Sequence, residues 1–125
     1  SAVFAAQARE LRIATDLAQE RLVDIKIHPS HYRCASLSAD APVEIEAADK
    51  TTSFDPPKSL PPNQAAGTRE LNAYQMYSWR AFAKLPQADS NLVELTVVVS
   101  WQSLGRNRSF ALTTYAPKQD FGGAA

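Results

Sequence analysis

The chain has 125 residues, 45% of them hydrophobic and 21% charged, and its 13 basic and 13 acidic side chains cancel to a formal net charge of zero. This balance suits one folded domain and excludes general disorder. It also argues against a nucleic-acid surface, because phosphate contacts call for a basic excess or stripe, and the densest basic run, Arg106-Asn107-Arg108, holds only two charges beside a turn.

The first predicted element is a helix over residues 1–27. Phe4, Ala8, Leu11, Ala14, Ala18, Leu22 and Ile25 recur at steps of three or four and form a continuous apolar stripe. No obvious N-cap precedes it, since Ser1 is followed by Ala2-Val3-Phe4, and a start without a cap is what truncation of a longer helix would leave. Pro29 ends the helix or the turn after it. Asp16, Glu20 and Asp24 form an acidic row at four-residue spacing. Such a row is a solvated face with Arg12 and Arg21 nearby, or a contact to a partner of opposite charge, which would offset the like-charge repulsion along it.

Residues 28–70 are predicted to be loop-rich and hold six of the eight prolines. Val43-Glu44-Ile45-Glu46 alternates apolar and acidic residues and suits one short strand. Residues 51–68 are proline-rich and polar and read as an irregular surface loop. His28, His31 and Cys34 are side-chain types that suit zinc or copper. Their spacing matches no strong zinc motif and no fourth ligand is evident, so a polar turn after the helix is the expectation, with no metal and no cofactor. A single cysteine permits no intramolecular disulfide. With both histidines in one segment and no G-x-S-x-G elbow, no catalytic set is expected and the chain is not read as an enzyme.

Residues 71–116 are predicted to form an antiparallel sheet. Tyr77, Trp79, Ala81 and Ala83 alternate with Ser78, Arg80 and Phe82. Val93, Leu95, Val97, Val99 and Trp101 then alternate with mostly polar residues, the clearest strand signal in the chain. Ser103-Leu104-Gly105-Arg106-Asn107 is the turn, and a return strand follows with Phe110, Leu112 and Thr114 on one face. Without a basic groove, Tyr74, Tyr77, Trp79, Trp101 and Tyr115 are assigned to packing rather than to base stacking. The predicted architecture is α+β: a long N-terminal helix packed on a C-terminal antiparallel sheet of three to four strands, in one domain over residues 1–118 with a flexible tail at 119–125.

Two stretches carry a family resemblance. Ala14-Thr15-Asp16-Leu17-Ala18-Gln19-Glu20-Arg21-Leu22 resembles the A-x-x-L-A-Q-E-K-L run in the first helix of minor type IV pilins and minor pseudopilins. Leu95-Thr96-Val97-Val98-Val99-Ser100-Trp101, with Gly105, Arg108, Leu112 and Thr114 after it, resembles the V-x-V-x-W … G … R-x-x-x-L-x-T hairpin of V-type minor pilins and I-type minor pseudopilins. The resemblance implies a pilin-like fold and a filament subunit that is no enzyme. Its partners would be other minor subunits and the major pilin, in a hetero-oligomer that primes filament growth or forms its tip. It further implies a leader removed by a dedicated peptidase, an N-methylated phenylalanine, and a hydrophobic helix ahead of Ser1 anchoring the subunit in the bacterial inner membrane, facing the periplasm, before it enters the filament. Asp16, Glu20 and Asp24 would then be candidates for a subunit interface. With one cysteine and no acidic cluster near the C-terminus, the chain departs from the disulfide and calcium loops of major subunits. The extended proline-rich middle leans toward a V-type minor pilin of a type IV pilus. An I-type pseudopilin of type II secretion stays close behind, and a soluble, non-catalytic binding module that captures a ligand on its sheet edge is the reading from another class.

Overall fold

The computed structural model describes residues 2–54 and 76–121, with side chains from residue 5. Helix α1 (Ala2–Ile27) leads through a 3-10 turn (Pro29–His31) into strands β1 (Tyr32–Cys34) and β2 (Val43–Ala47). Strands β3 (Ser78–Lys84), β4 (Leu92–Ser103) and β5 (Arg106–Pro117) follow, then a second 3-10 turn (Lys118–Asp120). The strands form one antiparallel sheet in the order β1-β2-β3-β4-β5. The chain is therefore α+β, with five strands rather than three to four. The additional pairing arises inside the stretch expected to be loop-rich. There Tyr32 faces Ala47 and Cys34 faces Ile45, and a three-residue strand is too short to display a period in sequence.

The helix lies against β4 and β5 and packs on one face of the sheet. Ala14, Leu17, Ala18, Leu22 and Ile25 are buried, and the two alanines let the helix backbone approach the strands closely. The facing layer is Ile45, Trp79, Ala81, Ala83, Val93, Leu95, Val97, Val99, Trp101 and Ala116. Burial of each large side chain in this layer contributes about 1.5–3 kcal/mol. Tyr77 donates its hydroxyl to the Glu10 carbonyl at 3.0 Å, and the Trp101 indole donates to the Glu10 carboxylate at 3.2 Å. Around this turn the stripe read as continuous is interrupted: Ala8 is exposed and Leu11 is 47% exposed. The side chain of Phe4 lies outside the described residues. Among those residues no helix is long and apolar enough to cross a membrane.

Two segments expected to be irregular join the fold. Thr52 accepts a bond from the Trp79 amide at 2.8 Å, Ser53 bridges Ser78, and Phe54 is buried. The remainder of the proline-rich loop, with Pro56, Pro57, Pro61 and Pro62, and Tyr74 beyond it, lies outside the described residues. At the other end the tail assigned to residues 119–125 begins as structure. The Lys118 amide bonds the Asn91 carbonyl at 2.9 Å, and Phe121 is buried in the core. One aromatic after a proline gives no periodic signal, which is why the sequence reading stops short of it.

The β4–β5 connection is a two-residue loop, Leu104-Gly105, closed by the Ser103–Arg106 pair. Both residues have positive φ, 54° and 74°, as a type I′ turn requires. Gly105 adopts this freely, whereas Leu104 pays a backbone strain while its side chain stays 75% exposed. Leu104→Asn is therefore expected to stabilise the domain by about 1 kcal/mol, read as a higher urea midpoint at unchanged slope.

Candidate functional site

The acidic row on α1 is divided by helix geometry. Residues four apart drift by about 40° per step around a helix, which carries the last of the row, Asp24, from the exposed side toward the sheet. Asp16 and Glu20 are exposed on the side away from the sheet. Val23, 51% exposed, and Ile27, 64% exposed, continue that outward face at steps of three and four. Asp24 turns toward the sheet edge instead. There it accepts a hydrogen bond from the Tyr32 hydroxyl and lies 3.9 Å from Arg21 Nη1.

Arg21 joins helix, strand and core at this point. Its Nη1 donates to Tyr32 Oη at 3.0 Å. Its guanidinium stands 4.6 Å from the centre of the Trp79 ring and 5.5 Å from that of Phe54, within cation–π range. Tyr32 meets Trp79 edge-on, with centroids 6.1 Å apart. A cavity of about 340 Å³ opens beside the cluster, lined by Arg21, Asp24, His31, Tyr32, Asp49 and Ser53 among others. The Thr51 amide donates to Asp49 at 3.0 Å and holds this carboxyl below its usual range. Arg21 Nε and Trp79 Nε1 are buried with no hydrogen-bond partner among the described residues.

Burial, reinforced by the bond to Asp24, pushes the Tyr32 phenol from 10.0 up to about 12. It stays protonated and donates across the cluster at ordinary pH. The folded chain holds this proton more tightly than the unfolded chain does. The stabilisation is thus complete below about pH 10 and is lost as pH rises through about 12. Solvent screening of a half-exposed group brings its size to on the order of 1 kcal/mol. Tyr32→Phe is expected to show a shallower fall in urea midpoint over that alkaline window than the parent chain.

The histidines and the cysteine are not assembled into a site. His28 and His31 stack at 4.9 Å on the 3-10 turn, both exposed. Cys34 sits on β1, where its thiol donates to the Ala35 carbonyl at 3.2 Å and burial raises its pKa. Among the described residues no group of three His, Cys, Asp or Glu side chains is placed to hold a metal ion.

The cluster around Arg21 was not foreseen from sequence, although one signal was available. Arg21 lies three residues after Ala18 and four before Ile25, on the edge of the buried stripe, where a charge requires partners. Nothing in the pattern identified Tyr32 as the partner, because its position depends on β1 pairing with β2.

No family model, no curated protein and no solved structure matches the chain.

Proposed function

We propose that this chain is the globular part of a minor subunit of a bacterial type IV filament, a V-type minor pilin that assembles with other minor subunits and the major pilin. The observation that carries the reading is that α1 presents more apolar surface than its own sheet covers. Ala8 and Leu11 are exposed in the first half of the helix, and Val23 and Ile27 sit on the outward face beside Asp16 and Glu20. Isolated helical turns are marginal in water, and exposed apolar side chains in a row mark contact surfaces. A helix bundle at a filament core would supply the missing cover, and the globular domain would dock sideways on its neighbours. In this reading Asp16 and Glu20 contribute to the subunit contact, while Asp24 serves the fold. The subunit would begin in the inner membrane, facing the periplasm, and end in a priming or tip complex.

The test is the gene sequence upstream of Ser1. A prepilin leader ending in a glycine-phenylalanine junction, followed by about twenty apolar residues, is the expected result. A start codon close to Ser1 with no apolar stretch would overturn the proposal.

A further inference from the structure

The two edges of the sheet are built differently. Edge β1 has three residues and carries the exposed Arg33, and short, charged edges resist pairing with other chains. Edge β5 has twelve residues. Its register with β4 runs unbroken from Leu92–Pro117 to Ser103–Arg106, so no bulge twists it away. Between Arg108 and Lys118 it carries no charge, and its only proline is Pro117. Among the described residues β4 is its sole strand neighbour, which leaves the outward N–H and C=O groups of β5 to water or to another extended strand.

We propose that β5 pairs antiparallel with β5 of a second copy of this chain, about a two-fold axis at Ala111. Residues facing each other across an antiparallel pair point to the same side of the sheet. The axis at Ala111 therefore puts Phe110 opposite Leu112 twice, on the side that carries α1 in both copies. Both side chains are half-buried in the single chain, so the pairing covers their remaining apolar surface. On the opposite side Ser109 meets Thr113 and Asn107 meets Tyr115. Arg106 meets Ala116 and Arg108 meets Thr114, so no like charges oppose. A shift of the axis to Ala111's second neighbour, Thr113, would set Arg108 against Lys118 and is disfavoured for that reason. The same strand recognises itself in one closed arrangement, as two-fold dimers require.

Ala111 is exposed on the open face, so Ala111→Lys and Ala111→Glu leave the core intact, and an unchanged melting temperature verifies this. Sedimentation equilibrium of the 125-residue chain is expected to show a mass that doubles as concentration rises toward the millimolar range. Each variant alone places two like charges at the axis and is expected to remain monomeric, whereas an equal mixture of the two regains the doubled mass. A parent chain that stays monomeric at millimolar concentration overturns the proposal. Variants that still dimerise alone, or a mixture that stays monomeric, overturn it equally. Pairing through β5 is independent of the filament reading, which a monomeric chain would leave standing.

Discussion

Trp79→Ala is expected to destabilise the domain by about 3–5 kcal/mol, the range for deleting a large buried aromatic. Trp79 is 2% exposed and lies where three elements meet: its own strand β3, α1 above it through Arg21, and the β1–β2 hairpin beside it through Tyr32. Truncation leaves a cavity and removes the aromatic face under a guanidinium whose Nε has no hydrogen-bond partner among the described residues. These losses share one site and do not add independently. A domain of this size holds roughly 5–15 kcal/mol in total, so urea unfolding at low temperature is the suitable measurement. Trp79→Phe separates packing from polarity. It keeps a ring beneath Arg21 and removes an indole N–H that has no hydrogen-bond partner among the described residues, so its expected loss is at most about 1.5 kcal/mol. Equal losses in both variants would mean that the indole N–H has a partner in solution.

The second large effect concerns the end of the chain. Phe121→Ala is expected to destabilise the domain by about 3 kcal/mol, the lower part of the aromatic range. Phe121 is 7% exposed, and the bond from the Lys118 amide to Asn91 fixes the turn that delivers it. Phe121→Leu retains most of the buried area and is expected to lose about 1 kcal/mol. A Phe121→Ala variant with the parent's urea midpoint would place the end of the folding unit at Pro117 instead.

What the sequence made legible follows from period and length. Strands β3 and β4 alternate over seven and twelve residues and β5 from Ser109 to Pro117, and alternation over such spans is readable without tertiary information. The lower half of α1 is readable for the same reason, through Ala14, Ala18, Leu22 and Ile25. Leu17 completes that buried set, but the sequence reading omits it because it follows one line of three- and four-residue steps along the helix rather than the full width of the face. Val23 and Ile27 lie outward beside Asp16 and Glu20, and their exposure is not legible from the stripe alone. β1 and the site around Arg21 were not legible, because both depend on where the chain returns after Pro29. The hairpin that carries Tyr32 to Asp24 is specified by pairing across residues 32–47 rather than by any local pattern.

The two aromatic donors on Glu10 have a mechanical consequence. Tyr77 precedes β3 and Trp101 stands within β4, yet both grip a single helical turn. Below that turn the helix is glued broadside to the sheet, and among the described side chains above it only Gln7 is half-buried. A tug along the rod therefore reaches the sheet first at Glu10. It is shared between two neighbouring strands and loads the interface in shear, so that many contacts must yield together rather than peel in sequence. Glu10 is thus the rivet of the domain, the point at which a lever of bare helix hands its force to the sheet.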